Sequence, residues 1–500
     1  MQRGIFNIEY SIFIFFHAMT NRDTLPFKKI DTSTTIVIVG VTGDLSRKKL
    51  LPALFDLHRR NALPKKFRIV GFSRRDWSDE GFRQFASQTL LPDRHHHTDG
   101  ELKVFLRHLT FQEGNFDTPD DFRALGKKLA AVDTEMGGCS NKLFHLAVPP
   151  DLYGLIFINM ARAGLNIPCI GKNEGWIRLL VEKPFGKDVK TARHLDMQLA
   201  KFFREEQIFR IDHYLAKDTI QNILAFRFSN MLFEPLWNSR SIEKVVVELY
   251  ETDDVAGRIN FFDGVGELRD MGQSHALQML AAIAMENPGT TDAAALRQAR
   301  IAVLRQLAPL TKRTAPASVV RAQYRGYRDE VGVAKNSQTE TYFQLQVNLR
   351  SKRWRGTPFF IEAGKALHHS KVKIKVFFKT SESCFSCPAG PHEHPHNMLV
   401  FRIQPEEAIA VHFWAKKPGL KMELIKKELS FNYGELHDGH TPDAYETLLF
   451  DAIRGDQTLF ASTDEITASW KYVTSVLKNW SAVPLQTYRR GSAGPKKKLI

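Results

Sequence analysis

The chain has 500 residues, of which 43% are hydrophobic, and a formal net charge of +15, which predicts two or three globular domains and excludes wholesale disorder. The positive charge favours anionic partners such as nucleic acid, a membrane surface or phosphorylated small molecules. The basic residues are spread along the chain rather than gathered in a stripe, which argues against nucleic acid. No apolar run reaches the roughly 18 residues of a membrane-spanning helix.

The cysteines and the N-terminal segment bear on the compartment. Neither the count nor the spacing of the cysteines indicates a disulfide framework, which favours a reducing compartment. They are Cys139, Cys169, Cys384 and Cys387. Residues 1–30 are predicted to be a flexible leader, because the apolar segment 5–16 is interrupted by polar residues and is short for a signal-peptide core. The alternative is that translation starts at Met19 and that the residues before it belong to an upstream start. Because no targeting signal is convincing, we expect a cytoplasmic protein.

The first regular element is predicted at Thr34–Gly40, whose β-branched and apolar residues are typical of a strand buried on both faces. A glycine turn, Gly-Val-Thr-Gly-Asp-Leu at 40–45, leads to a segment whose regular helix should begin near Pro52. Strand, glycine turn and helix begin a dinucleotide-binding unit, with a pyrophosphate at the helix N-terminus. Because the full G-x-G-x-x-G is absent, an ordinary strand–turn–helix stays open.

Later strands place basic residues where a cofactor binds. The predicted strand Phe67–Phe72 ends in Ser-Arg-Arg, and Arg74 at this position favours the 2′-phosphate of NADP over the free hydroxyl of NAD. Solvated loop arginines are the alternative. Further strands are predicted at 142–148 and 177–181. The second of these puts Lys183 at the carboxyl end of a parallel sheet, where ligands bind in open α/β folds.

The sequence Arg-Ile-Asp-His-Tyr-Leu-Ala-Lys-Asp at 210–218 joins two unlike halves. If a helix starts here, His213, Tyr214 and Lys217 lie within about 100° of one another on one face. A ring nitrogen, a phenol and an ammonium can together bind one anion. A polar helix N-terminus without a ligand is the alternative. The apolar stripe of this helix is predicted at Ile220, Ile223 and Leu224.

After residue 210 the strand-like runs are longer and alternate more, which predicts an antiparallel sheet with helices on one side. The runs are Val245–Tyr250, Thr341–Leu349, Lys373–Lys379 and Leu399–Ile403. A helix is predicted over 277–284, and His275 faces away from its buried stripe, with Asp270 nearby. A histidine held by a carboxylate is a natural general base near neutral pH. An exposed helix histidine is the alternative.

Two histidine-rich segments raise the question of metal binding. Consecutive residues such as His95–His97 rarely converge on one ion, so we expect them to be exposed. Cys384 and Cys387, followed by three histidines, resemble a zinc-ligand set, but the proline-rich loop has no second Cys-x-x-Cys. We therefore predict no metal site. Residues 491–500 contain three consecutive lysines and are predicted to be a solvated basic tail.

Taken together, these motifs resemble the glucose-6-phosphate dehydrogenase family. The family's G-x-x-G-D-L matches 40–45, E-K-P-F-G matches 182–186, and R-I-D-H-Y-L-G-K-E matches 210–218 with two substitutions. The resemblance implies an α/β Rossmann dinucleotide-binding domain at 31–210. It also implies an α+β substrate-binding and dimerisation domain with a large, mainly antiparallel sheet at 211–490.

The resemblance further implies oxidation of glucose 6-phosphate at C1 to 6-phosphoglucono-1,5-lactone with hydride transfer to NADP, the first step of the oxidative pentose phosphate pathway. His275 would remove the proton of the C1 hydroxyl, and Asp212 would orient its imidazole. A homodimer or dimer of dimers would form through the large sheet. The alternative is a non-catalytic NADP-binding regulatory homologue, which we expect to have lost one of these two residues.

The remaining implied contacts divide between substrate and cofactor. The substrate contacts are Lys183 between sugar and nicotinamide, His213, Tyr214 and Lys217 at the 6-phosphate, and Glu251, Asp270 and Lys365 at the sugar. The cofactor contacts are Gly40, Val41, Thr42, Gly43, Asp44, Leu45, Ser46, Arg47, Arg74 and Lys183.

Some positions depart from the family's pattern. His145 replaces a tyrosine that is frequent near the nicotinamide. Many eukaryotic members bind a second, structural NADP, and Lys371 and Arg402 match basic residues of that site. Glu362 and His412 replace an arginine and a lysine there, so the resemblance leaves the second site undecided.

Overall fold

The computed structural model describes residues 32–91, 98–169, 175–380, 396–435 and 442–500. Within it the chain divides into two compact units, one of residues up to 179 with 452–454 and one of residues 180–451 and 455–500. The leader, His95–His97 and the Cys384–Cys387 segment lie outside the described residues. Those interpretations stay predictions, as do the domain bounds at 31–210 and 211–490.

The first unit is built on a parallel sheet. Its elements are β1 (Thr34–Val39), α1 (Leu51–Arg59), β2 (Phe67–Ser73), α2 (Asp79–Leu90), α3 (Asp99–Leu106), β3 (Leu109–Glu113), α4 (Pro119–Met136), β4 (Asn141–Leu146), α5 (Tyr153–Arg162) and the start of β5 (Ile177–Val181). The strands lie in the order β3-β2-β1-β4-β5, and the first four are parallel. All six residues of β1 are buried, as predicted for a strand covered on both faces.

The strand order places the glycine turn at a ligand-binding position. From β1 the chain moves outward to β2 and β3, and β4 then returns to the other side of β1. The strand order therefore reverses at β1 and β4, and in open parallel sheets ligands bind beside the carboxyl ends of such strands. The turn at 40–45 leaves β1 at this point.

The second unit is built on a nine-stranded sheet. From residue 180 onward the elements are α6 (Val189–Ala200), β6 (Ile208–Ile211), α7 (Asp218–Phe228), β7 (Ile242–Tyr250), α8 (Ile259–Phe262), α9 (Leu277–Ala284), α10 (Ala293–Arg305), α11 (Ala315–Ser318), β8 (Val319–Tyr324), β9 (Tyr342–Asn348), β10 (Pro358–Gly364), β11 (Lys371–Phe378), β12 (Met398–Gln404), β13 (Ala408–Lys416), β14 (Leu424–Asn432), α12 (Ala444–Arg454), β15 (Phe460–Ala461), α13 (Thr463–Lys478) and β16 (Leu485–Tyr488). The strands of the sheet lie in the order β14-β13-β12-β11-β7-β10-β9-β8-β16. Only the β7–β10 and β8–β16 pairs of this sheet are parallel. The predicted large, mainly antiparallel sheet is confirmed.

A helix does begin within 210–218, but only at the last residue, Asp218, so His213, Tyr214 and Lys217 precede it. The segment begins in β6, which ends at Ile211, and continues as a turn over 213–216 before α7 begins at Asp218. The Tyr214 amide donates to Asp212 Oδ1 at 3.2 Å, and the Leu215 amide donates to the Asp212 carbonyl at 3.0 Å. An aspartate that accepts local backbone donors favours a turn over a helix. The helical-face argument for binding an anion therefore fails.

The C-terminal segment is not the solvated tail that the lysines predict. Lys498 Nζ donates to Glu362 Oε1 of β10 at 2.6 Å, and the Leu499 amide donates to Gln344 Oε1 of β9 at 2.5 Å. Gly491 donates its amide to the Ala366 carbonyl at 2.8 Å. These residues thus lie on the sheet, where Lys498 pairs with the buried carboxylate of Glu362. The local sequence does not reveal this pairing.

Three further findings bear on the composition-based predictions. Cys139 and Cys169 form a disulfide, with their Cα atoms 6.2 Å apart. This finding runs against the expectation of reduced cysteines, because cysteine spacing in the sequence gives no spatial distance between positions 30 residues apart. Across the described ranges no group of three or more His, Cys, Asp or Glu side chains could hold a metal ion. No helix in those ranges is long and apolar enough to cross a membrane.

Candidate active site

The centre of the candidate site is a buried histidine–carboxylate pair in the second unit. His275 lies in a π-helical segment, Leu268–Ala276, that leads directly into α9, and Asp212 follows β6. His275 Nδ1 is 2.5 Å from Asp212 Oδ1, and both side chains are buried. The expectation that Asp270 is the carboxylate beside His275 is wrong, because Asp212 holds the imidazole. His275 is buried and not exposed to solvent, and its direction differs from that expected for an α-helix because a π-helix turns less per residue.

The electrostatic environment determines which nitrogen of His275 can act as a base. Burial lowers the pKa of His275, and the Asp212 carboxylate opposes this effect only in part. Burial by itself raises the pKa of Asp212, but the charge and hydrogen bond of His275 hold this pKa below its ordinary value. Asp212 is therefore an ionised acceptor for Nδ1–H, and Lys183 Nζ lies 2.8 Å from Nε2. The lone pair of the neutral imidazole is consequently on Nε2.

Lys183 joins this pair to the acidic part of the site. Its ammonium donates to the Asp270 carbonyl at 2.9 Å and lies 3.4 Å from Asp270 Oδ1. Burial raises the pKa of Asp270, but Lys183, Lys365 and Arg258 reverse the shift and hold the carboxyl ionised. Asp270 therefore belongs to the site through Lys183 and not as the partner of His275.

Lys365 is enclosed by three carboxyl groups. It follows β10 and forms a close ion pair with Glu251 Oε2. Asp270 Oδ2 is 3.8 Å from its ammonium, and Glu267 Oε2 is 3.5 Å from it. Burial lowers the pKa of Lys365, but these carboxyls raise it above its ordinary value. The sequence analysis did not identify Glu267. This residue lies three positions before Asp270, but nothing in the local sequence indicates that it is buried.

The residues expected at the phosphate also lie around His275. The ring centroid of His213 is 4.6 Å from that of His275, and the ring centroid of Tyr214 is 4.2 Å from it. Lys217 Nζ is 5.7 Å from the Tyr214 ring centroid. Burial and the nearby His275 and Lys183 lower the pKa of His213 far below its ordinary value, so this side chain is a neutral donor. These groups are brought together by a compact turn and not, as predicted, by one face of a helix.

The glycine turn of the first unit fits a dinucleotide phosphate. Gly40 has a φ of +88°, and a Cβ at this position would lie 2.5 Å from the Ala147 carbonyl oxygen, so only glycine is accommodated. The Gly43 amide donates to the Gly40 carbonyl at 3.0 Å. A π-helical turn over Ser46–Leu50 precedes α1, which carries Pro52 in its first turn as predicted. Backbone can thus approach a phosphate closely here.

The other positions expected at the cofactor are arranged around this turn. Val41 and Ser46 are buried, Thr42, Gly43 and Leu45 are half-buried, and Asp44, Arg47 and Arg74 are exposed. Arg74 directly follows β2, at the edge where an adenosine ribose would lie. His145 is buried in β4, opposite Ile38 of β1.

The four residues at the positions of the family's second, structural NADP site form ion pairs and hydrogen bonds with other side chains of this protein. Lys371 pairs with Glu248 at 3.1 Å, and Arg402 pairs with Glu428 at 2.7 Å. Glu362 binds the Tyr342 hydroxyl at 2.6 Å in addition to Lys498. A dinucleotide there would have to displace these internal contacts.

Comparison with known proteins relates this arrangement to characterised relatives. The glucose-6-phosphate dehydrogenase NAD binding domain model matches residues 37–222, and the C-terminal domain model matches residues 224–499. Glucose-6-phosphate 1-dehydrogenase of Aggregatibacter actinomycetemcomitans is 40% identical over 473 residues, covering 92% of this chain and 94% of that protein. The enzyme of Chlamydia pneumoniae is 37% identical over 484 residues, covering 92% and 93%.

Solved structures agree with the sequence comparison. A glucose-6-phosphate dehydrogenase in complex with its substrate glucose 6-phosphate has a TM-score of 0.85 and 32% identity, covering 94% of this chain and 96% of that one. The Mycobacterium avium glucose-6-phosphate 1-dehydrogenase has a TM-score of 0.78 and 31% identity, covering 93% and 96%. The two family models together cover residues 37–222 and 224–499, and each of these relatives matches more than nine-tenths of the chain, so this chain belongs to the glucose-6-phosphate dehydrogenase family.

Proposed function

We propose that this chain oxidises D-glucose 6-phosphate at C1 to 6-phosphoglucono-1,5-lactone with NADP as the hydride acceptor. The observation that carries the proposal is the buried His275–Asp212 pair, in which His275 Nε2 accepts a hydrogen bond from Lys183. The family's reaction needs a base of this kind. A regulatory homologue without activity would not need to keep both members of the pair.

The chemistry assigned to the chain is a proton transfer that drives hydride loss. Nε2 of His275 accepts the proton of the C1 hydroxyl, and Asp212 stabilises the imidazolium that forms. As the proton leaves, the C1–O bond becomes a carbonyl and the hydrogen on C1 departs with its electron pair. NADP, when bound, supplies the nicotinamide ring that accepts this hydride. Lys183 positions the hydroxyl between the base and the cofactor.

Substrate binding is assigned to charged groups on both sides of His275. Lys217, His213 and Tyr214 hold the 6-phosphate through a charge and two directional donors. Glu251, Asp270 and Lys365 hold the sugar hydroxyls. The cofactor pyrophosphate is assigned to the turn from Gly40 to Arg47, and its 2′-phosphate to Arg74.

Purified protein mixed with glucose 6-phosphate and NADP should produce reduced nicotinamide. NAD at the same concentration should give a slower reaction, because Arg74 gains a charged partner only from the 2′-phosphate. Initial rates measured by nicotinamide absorbance check both expectations. Folded protein that binds NADP but gives no reduced product would support the regulatory alternative, and equal rates with both cofactors would contradict the role of Arg74.

We also propose that the protein assembles as a homodimer or dimer of dimers through the nine-stranded sheet. β14 is an edge strand of that sheet. Leu429 and Phe431, two positions apart on β14, are 65% and 41% exposed, and exposed apolar surface on an edge strand favours association. Light scattering at micromolar concentration should give two or four times the 57.1 kDa of one chain. A mass of one chain would contradict the proposal.

The proposed partners are small anionic molecules, with no nucleic acid or membrane among them. Support comes from the cationic side chains gathered in the site, Lys183, Lys217 and Lys365, which match a phosphorylated sugar better than a long polyanion. Charged sugar phosphates and dinucleotides do not cross a bilayer unaided, which supports the proposed cytoplasmic location.

A further inference from the structure

Glu267 is a buried carboxyl group that the proposed mechanism does not use. Its side chain is 0% exposed. Its Oε2 lies 3.5 Å from Lys365 Nζ, and within the described residues neither of its oxygens has a hydrogen-bond donor. Glu251 contacts the same ammonium and remains 39% exposed. Lys365 therefore lies between an accessible carboxylate and an enclosed carboxyl group.

The local backbone holds Glu267 in this position. Gly266 has a φ of +77°, and a Cβ there would lie 2.4 Å from a carboxyl oxygen of Glu340. The Leu268 amide donates to Glu340 Oε1 at 3.1 Å, and the Glu267 amide donates to the Glu340 carbonyl at 3.1 Å. The backbone of Glu267 and of Leu268 is thus anchored to Glu340, which fixes the point from which the Glu267 side chain reaches Lys365.

An enclosed carboxyl without hydrogen-bond donors favours its neutral form, because the charged form loses its hydration and gains little in return. A single ammonium, Lys365, already faces two other carboxylates, Glu251 and Asp270. Burial raises the pKa of Glu267 to about 8, with Glu251, Asp270 and Glu340 adding to the shift and Lys365 opposing it. The group therefore changes charge within a pH range in which the protein can be studied.

We propose that Glu267 is a titratable positioning residue for Lys365, neutral at neutral pH and ionised at alkaline pH, where it weakens the binding of glucose 6-phosphate. The inference rests on the proposed function, in which Lys365 contacts the sugar. Once ionised, Glu267 competes with the sugar hydroxyls for the N–H groups of Lys365. It also adds a negative charge to a site that must receive a phosphate dianion.

Apart from Glu340, whose pKa burial also raises, the other shifted groups around Glu267 do not change charge in the same range. The pKa values of His275 and Asp270 are lowered, and those of Lys365 and Tyr214 are raised. Tyr488, which donates to the Lys365 carbonyl at 2.7 Å, also has a raised pKa because it is buried. Glucose 6-phosphate is already dianionic above neutral pH. A change in affinity between pH 7 and pH 9 therefore reports on Glu267 or Glu340, and the two variants below distinguish them.

The test is the Kd for glucose 6-phosphate, measured by calorimetry without cofactor at pH 7, 8 and 9 for wild type and Glu267→Gln. Gln is isosteric with the neutral acid, so the two proteins should agree within about twofold at pH 7. At pH 9 wild type should bind about 3- to 10-fold more weakly than the variant, because only wild type gains the charge. Thermal melting over the same pH range shows whether both proteins are folded.

Glu340→Gln is the matched control, because Glu340 is also buried with a raised pKa but binds a backbone amide and not Lys365. It should bind glucose 6-phosphate at pH 9 as weakly as wild type, because Glu267 is ionised in both proteins, but the weakening should begin at lower pH because Glu340 no longer adds to the raised pKa of Glu267. Equal pH profiles for wild type and Glu267→Gln would overturn the inference, as would binding by Glu340→Gln at pH 9 that is as tight as binding by Glu267→Gln. Wild type that fails to bind glucose 6-phosphate at every pH would instead refute the proposed function.

Discussion

Replacing His275 with asparagine is expected to lower kcat by about 10²–10⁴-fold while the KM for glucose 6-phosphate changes little. Asparagine can keep a hydrogen bond to Asp212, which preserves the buried contact, but it has no lone pair on nitrogen that could accept a proton. The substrate's phosphate and hydroxyl contacts remain. Steady-state kinetics at saturating NADP separate the two parameters.

His194→Asn is the control for the loss of a histidine, because His194 is exposed on α6 and lies outside the proposed site. It should retain wild-type kcat. A melting curve for each variant shows whether the fold survives. If folded His275→Asn keeps the wild-type kcat, His275 is not the base and the assigned mechanism is wrong.

Replacing Lys217 with alanine is expected to raise the KM for glucose 6-phosphate by about 10- to 150-fold, which corresponds to a charge-assisted contact of roughly 1.5–3 kcal/mol. kcat should fall less, because Lys217 is assigned to the phosphate and His275 to the reacting carbon. Initial rates over a range of substrate concentrations distinguish these effects.

Unphosphorylated glucose provides an internal control for Lys217→Ala. It has no phosphate to lose, so its kcat/KM should be nearly the same in wild type and variant. Lys190→Ala, which removes an exposed ammonium from α6, should leave the KM for glucose 6-phosphate unchanged. An equal loss with both sugars would show that Lys217 acts on the fold or on the hexose ring and not on the phosphate.

The sequence predicted most of what depends on local pattern. The β-branched run of β1, the start of α1 at Pro52, and the alternating strands of the nine-stranded sheet all follow from hydrophobic periodicity and backbone preference. The motif matches also identified Asp212 and His275, which lie 63 positions apart and which the structure brings within hydrogen-bond distance. Hydrophobic periodicity could not have shown that these two residues are partners. The local sequence around His275 instead suggested Asp270 as its carboxylate.

Features that depend on tertiary contact could not be predicted. The turn after Ile211 is a local feature, formed because Asp212 accepts two backbone donors, and local pattern missed it because the same residues also fit a helix start. The π-helical segment around His275 changes the side-chain angles that a regular helix would give. Glu267 has no local mark of burial, since its environment comes from Glu340 and Lys365, which are distant in the chain.

The attachment of residues 491–499 to the sheet has a consequence for the order in which the protein is made. Ser492 accepts the His368 amide at 3.1 Å, and Lys498 donates to Glu362. Residues 491–499 are synthesised after all the strands that they contact. The segment after β10, which carries Lys365, therefore receives these contacts only once residues 491–499 have emerged from the ribosome. A chain cut short before residue 491 would lack that support for its substrate site.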